Sequence, residues 1–420
     1  MTMQNSQWRI FALLLAVPLG SCLSAAIASA VEPKSAEQAD EPTPAKATTN
    51  SSRDPYEVPE GSVDDLLGYI QTGPVHMRPR SVLDLRRMNQ SLDMAAQRIF
   101  ASQEASDQQR LLAASLRVKF LHRLRLLGVK ESGHKLDAFL SNVANDPAPR
   151  LQAFARYTQL DRQLDAWQHL CDQDRQAIIA EVRSGIEAPQ ADEHDLALLL
   201  KLADTVAESP DATKVAEVIE QLLPQLANSP NASITAHLPW LEGVARRLKL
   251  PGNALEVEGE LLSGDQLDWQ DYRGKVVLVG FWATWSRPST GEVSNIKTAY
   301  NAYHDRGFEV IGVSLDTNQE AVRTFVADRK IPWPVIYNQS ETVSSDDSSH
   351  WNHPLASKYA INTIPRAILV DQEGNVIHMN LRGKNLHQTL AQILGPTPRL
   401  ANRPEGEPTP AGGKAVATDP

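Results

Sequence analysis

Cysteine is almost missing: the 420 residues hold only Cys22 and Cys171. Cys22 falls inside an uncharged N-terminal run, so the folded part has no cysteine pair for a structural disulfide and too few thiols for a cysteine-based zinc site. An excess of basic charge is also missing. Forty-one Lys and Arg stand against 51 Asp and Glu, a net charge of -10, whereas a sequence-independent nucleic-acid binder needs a basic surface to displace counterions. Nucleic acid is therefore not an expected partner. Aromatic residues are few, at 6%, and hydrophobic residues make up 42%. With 27 prolines, those values fit polar, Pro-rich tails that dilute a folded middle. The length is enough for two or three domains with separate cores.

One long apolar run is present. Arg9 precedes an uncharged stretch from Ile10 to Val31, the pattern of a secretory signal. Three readings are open. Cleavage after Ala28-Ser29-Ala30 releases a soluble chain. Leu19-Gly20-Ser21-Cys22 is similar to a bacterial lipobox, with Cys22 lipidated. The run is also long enough to remain as a membrane anchor. Because Leu23 to Val31 stays apolar, where a lipoprotein linker usually turns polar, cleavage near Ala30 is the preferred reading. All three place the rest of the chain outside the cytoplasm, in the periplasm or cell envelope, and two of them tether it to a membrane.

The expected organisation is a signal or anchor at 1–30, a disordered tether at 31–54, an all-helical domain at 55–250, an α/β domain at 251–395 and a disordered tail at 396–420. The tether and tail lack the large apolar side chains needed to offset the entropy of ordering. Between them, Ser106-x-x-Gln109 has the form of a capping box. Leu112, Leu116, Phe120, Leu124 and Leu127 follow at near-helical spacing, and Gly128 offers a stop. Helices are also expected over 195–208 and 213–226, each followed by a Ser-Pro break. Two such breaks fit an irregular bundle better than a solenoid. Cys171, in a helical context, reads as a small buried hydrophobe. After Leu250-Pro251-Gly252 the pattern changes. Strands are expected at Val276–Phe281, Phe308–Ser314 and Trp333–Tyr337, with a helix after the first. A hairpin of Arg366–Asp371 and Val376–Leu381 follows, and a last helix ends at Leu394.

The strings within that order carry a resemblance. Gly274 to Trp285 read GKVVLVGFWATW and continue as Ser286-Arg287-Pro288-Ser289; Thr363-Ile364-Pro365 precedes the strand Arg366-Ala-Ile-Leu-Val-Asp371. This resembles the TlpA-like thioredoxin and redoxin family of exported thiol–disulfide oxidoreductases, over roughly residues 251–395. The resemblance implies a thioredoxin-like α/β fold with a mixed sheet. It also implies a cis peptide at Pro365 and redox cysteines at the positions of Ser286 and Ser289. Glu292 matches an acidic residue the family often places three after its second cysteine. Gly280 stands where the family usually has a polar or acidic residue, which implies that a buried proton acceptor is missing.

Serine at both positions removes the exchange chemistry, because the reaction needs a thiolate to attack sulfur and a second thiol to release the mixed disulfide. The expectation is a redox-silent domain with no catalytic residue and no cofactor. A serine nucleophile finds no support: the G-x-S-x-G elbow is absent and no histidine is near in sequence. Ser286 or Ser289 reads instead as a helix cap, and Ser289-x-x-Glu292 has capping-box form. The kept groove walls point to binding by Trp285, Arg287, Ile364 and Pro365, since the proline loop of this fold leaves a backbone edge on which an extended peptide can pair. The insert 338–353 holds His350, His353, Asp346 and Asp347, but a loose loop of that kind is no metal site, and Trp351 is its candidate anchor for a partner. The resulting expectation is a binding or scaffold protein of the cell envelope, with an envelope protein or an extended peptide as partner. The alternative, by family resemblance, is a thiol–disulfide oxidoreductase or peroxidase-related antioxidant acting through Cys171 alone.

Overall fold

The computed structural model describes residues 54–338 and 353–396. The N-terminal segment with Cys22, residues 31–53 of the expected tether, residues 397–420 of the expected tail, and His350, Trp351, Asp346 and Asp347 of the insert lie outside the described residues. The chain divides into two compact units between Lys201 and Leu202.

The described part of the first unit is helical: α1 (Val63–Met77), α2 (Val82–Ala101), α3 (Asp107–Leu126), α4 (Glu131–Ala144), α5 (Pro149–Asp165), α6 (Asp172–Glu187) and α7 (Glu193–Val206), whose last turn belongs to the second unit. Local chemistry sets the starts. Ser62 with Asp65 and Ser106 with Gln109 both close full capping boxes, and Ser81 accepts from the Asp84 amide. Gly128, at φ 83°, follows the end of α3. Leu116, Phe120 and Leu124 are buried along one face of α3, as their spacing predicts, and Leu112 packs partly buried beside them. Cys171 corrects the sequence expectation. It is exposed at the N-cap of α6 and its thiol donates to Asp174 Oδ2 at 3.1 Å. Its sulfur is turned to the Asp174 carboxylate and not to the core.

The second unit carries α8 (Ala212–Leu226), α9 (Ala232–Ala236) and α10 (Leu238–Leu248), then β1 (Val276–Trp282), α11 (Arg287–Tyr303), β2 (Phe308–Ser314), α12 (Gln319–Arg329), β3 (Val335–Tyr337), α13 (Pro354–Lys358), β4 (Arg366–Val370), β5 (Val376–His378) and α14 (Gly383–Leu394). The strands form one five-stranded sheet in the order β3-β2-β1-β4-β5. β1, β2 and β3 run parallel, while β4 is antiparallel to both β1 and β5. The α/β expectation holds, and the sheet is mixed. Strand alternation divides the core. Val277, Val279 and Phe281 face a cluster with Leu250, Leu255, Leu355 and Tyr359. Val276 and Leu278 face one with Ala299, Tyr303, Leu386 and Leu390, from α11 and α14. Each fully buried side chain of this kind contributes about 1.5–3 kcal/mol of transfer free energy, which is why a continuous apolar run marks the central strand. β3 begins two residues later than expected and β5 ends at His378, not Leu381. Trp333 is buried without joining the ladder, and a bulge between Leu369 and Val370 shifts the hairpin's register.

Helices 202–248 pack into this unit. Gly243 of α10 lies so close to α13 that an added Cβ would sit 2.8 Å from the Ser357 carbonyl oxygen. Arg246 Nη1 donates to the Lys358 carbonyl at 2.5 Å. The change of composition at Leu250-Pro251 precedes the first strand at Val276, and the compact unit begins earlier still, at Leu202.

Candidate functional site

β1 delivers its C-terminal end to a short loop, Ala283-Thr284-Trp285, from which α11 starts at Arg287 with Pro288 in its first turn. The helix cap is Ser286. Its Oγ accepts from the Ser289 amide at 3.4 Å and from the Ser289 hydroxyl at 2.9 Å. Both serines are buried. The capping box read at Ser289-x-x-Glu292 does not form, because Ser289 is already the third residue of the helix. Glu292 turns instead to α14, where its Oε2 accepts from the Gly383 amide at 3.3 Å and from Asn295 Nδ2 at 3.2 Å.

The loop before α11 is pinned from the next strand. Asp316, buried after β2, accepts from the Thr284 amide at 3.0 and 3.1 Å, from the Thr284 hydroxyl at 2.5 Å and from the Ser314 hydroxyl at 2.9 Å. Nothing in the sequence singled out Asp316; the only signal is a Ser-x-Asp at the end of an apolar strand, which is common in loops. With this brace behind it, Trp285 stands 47% exposed and Arg287 is exposed beside it.

The proline loop comes from the other side of the sheet. The Ile364–Pro365 peptide is cis, and Pro365 lines, together with Ser289, Gly280, Glu292 and Arg382, a cavity of about 40 Å³ beneath the start of α11. So the fold brings Ser286, Ser289 and Pro365 to one place. Gly280 leaves that cavity open, with nothing within 4 Å of an added Cβ. A carboxylate is nevertheless present on the wall, that of Glu292, so an acceptor lines the cavity although position 280 supplies none. Ile364 is half-buried against the core cluster under the sheet, so less of it faces a ligand than its place before Pro365 implies.

Two arginines surround the proline. Arg382 donates to the Pro365 carbonyl, and Arg366 Nη2 donates to the Thr363 hydroxyl at 3.2 Å. Burial, with Arg247 nearby, pushes the Arg366 guanidinium down to about 10. Asn362 donates to Asp204 at 3.3 Å, and Asp204 also pairs with the buried Arg247 at 2.7 Å. Helical residues of the same unit thus hold the approach to Pro365, a link with no local sequence signal. Among the described residues no group of three or more His, Cys, Asp or Glu is placed to hold a metal ion.

The Redoxin family model matches residues 251–394. These residues are a redoxin domain. Similar proteins include a thiol-disulfide oxidoreductase ResA of Bacillus thuringiensis subsp. konkukian, 26% identical over 133 residues that make up 32% of this chain and 69% of that relative. ResA of Halalkalibacterium halodurans is 23% identical over 124 residues, 30% of this chain and 64% of that relative. Among solved structures, the thioredoxin domain of a thiol-disulfide oxidoreductase from Bacteroides vulgatus shares 29% identity, covering 34% of this chain and 97% of that one with a TM-score of 0.30. The redoxin domain is the whole of the matched region; the helices before it have no part in the match.

Proposed function

We propose that the redoxin domain of this chain is a redox-silent binding module of the cell envelope, which recognises an extended peptide or a partner loop. The observation that carries the reading is the Ser289-to-Ser286 hydroxyl contact at the start of α11. Oxygen at both positions forms no reversible disulfide, and a serine hydroxyl does not ionise to a nucleophile without a base. The thiol among the described residues, Cys171, belongs to the other compact unit. What remains at the site is shape: exposed Trp285 and Arg287, and the proline loop held from behind by Arg382 and Asp204. The uncharged run Ile10–Val31 supports export, and the redoxin domain is similar to relatives named thiol-disulfide oxidoreductases.

The test has two arms on the chain from Val31 onward. Insulin reduction with dithiothreitol should not exceed a blank, and Cys171→Ser should change nothing. Peptides from envelope extract should bind the parent and bind Trp285→Ala at least about tenfold more weakly, the scale of a central aromatic anchor. Reductase activity that survives Cys171→Ser would falsify the redox-silent half. Equal peptide binding by parent and Trp285→Ala sinks the other. Arg287→Glu is a cleaner second variant than Ile364→Asp, because Ile364 also packs the core.

A further inference from the structure

One end of the helical unit is built unlike the rest of an acidic protein. The α1–α2 turn and the end of α3 meet there: Arg86 Nε donates to the Leu127 carbonyl at 2.8 Å. Val75, Val82, Leu83 and Leu126 are 64%, 56%, 63% and 71% exposed at this end, half of the large apolar side chains exposed among the described residues. Between them stand Arg78, Arg80, Arg123, Arg125 and Lys130, all exposed. Among the described residues none of these five forms an ion pair with a carboxylate. The acids nearby have partners of their own: the Asp84 carboxylate accepts from the Ser81 hydroxyl and from the Arg80 amide at 3.2 Å, and Glu131 faces Lys135 at 3.9 Å. A chain of net charge -10 has gathered unpaired cations and bare aliphatic side chains on one surface.

We infer that this end of the bundle seats on an anionic lipid surface. Aliphatic side chains flanked by arginines suit the boundary where acyl chains meet phosphate headgroups, and each element supplies one of the two contributions. A single-stranded nucleic acid would call for aromatic stacking platforms, and none is present among these residues. A second, independent observation is where the chain enters. Asp54 pairs with Arg87 at 2.6 Å, and the Arg87 guanidinium lies 4.7 Å over the Tyr56 ring. Arg87 is one helical turn from Leu83. Pro59 and Glu60 meet Arg98 farther along α2. Residues 54–60 therefore start beside the basic and apolar end and run away from it along α2.

The inference is separate from the peptide-binding reading, and its test uses neither peptide nor thiol. The chain from Val31 to Pro420, which keeps every described residue, is sedimented with vesicles of phosphatidylcholine alone and of phosphatidylcholine with phosphatidylglycerol. It should bind the anionic vesicles and not the neutral ones. Reversing three cations, Arg78→Glu with Arg80→Glu and Arg125→Glu, should lower the partition by at least about tenfold, since each basic side chain near such a surface adds a factor of about five. Leu83→Asn with Leu126→Asn should also weaken it. Reversing Arg323, Lys330 and Lys384 of the redoxin domain to Glu changes net charge equally and should leave binding near the parent's. Circular dichroism checks that each variant stays helical. Failure of the parent to bind anionic vesicles overturns the inference, even if an acidic protein is captured in their place. So does equal weakening by the two sets of reversals.

Discussion

At residue 286 a single oxygen accepts from the Ser289 amide and the Ser289 hydroxyl, and so completes a helix cap. The short Oγ–Oγ distance also says what sulfur would do there. Ser286→Cys with Ser289→Cys should close a disulfide under mild oxidation, because only a small rotation separates the present contact from bonding geometry. Counting free thiols before and after oxidation checks this. In the chain from Val31 onward the variant has three thiols, Cys171 included, and oxidation should leave one; three that persist in a folded variant would contradict the placement. His353 offers a prediction of another kind. Burial pushes its imidazole from 6.5 down to about 4, and its Nδ1 accepts from the Leu355 amide at 3.2 Å at the start of α13. The unfolded state then binds the proton first as pH falls. His353 thus favours the fold fully above about pH 6.5, and that contribution is lost between there and about pH 4, amounting to about 3 kcal/mol. His353→Asn keeps an acceptor for the Leu355 amide, so urea unfolding across this window should lose much of its pH slope in the variant.

The contact between α10 and α13 shows an element whose sequence gives one answer and whose packing gives another. Gly243 in the middle of a helix costs about 1 kcal/mol against Ala by propensity. Yet a Cβ there would lie 2.8 Å from the Ser357 carbonyl oxygen and 3.1 Å from Ala360, and backbone has little room to yield. Gly243→Ala should therefore destabilise the second unit by about 1–2 kcal/mol, overpacking outweighing propensity. A rise in the urea midpoint would show that the helix moves away freely. The same contact explains how helices before Pro251 matter to the site, through Asp204, Asn362 and Arg247.

For the molecule as a whole, the proposed place is the cell envelope, and the ways of holding it there make different predictions. The preferred reading is cleavage near Ala30, and it predicts that Cys22→Ala leaves the chain in the same cell fraction as the parent. Loss of the variant from a membrane fraction would establish lipidation in its place. If the basic end of the helical unit seats on anionic lipid, part of the parent and part of the variant should remain with membranes until salt is raised, because surface attraction of this kind is screened within a Debye length. A lipid anchor resists the same wash. The two modes are thereby separable on one native chain.

Much of the redoxin domain was readable along the chain because its signals are local or periodic. An apolar β-branched run marks β1, Phe308–Ser314 marks β2 to the residue, and the strings Phe281–Trp285 and Thr363–Pro365 bring the resemblance with them. The helix starts at Ser62 and Ser106 are chemistry within four residues. Cys171 goes the other way: its helical context reads as a small buried hydrophobe, and the structure exposes it just before α6. What only the tertiary structure decided depends on residues far apart in sequence. Asp316 bracing Thr284, Arg382 and Asp204 holding the approach to Pro365, and the basic end made by joining residues 75–83 to 123–130 all require the fold first. Side chains that hydrogen-bond or repel across such separations leave no periodic trace, so the sequence by itself determined which elements form and that sulfur is missing, while folding alone determined which side chains stand together.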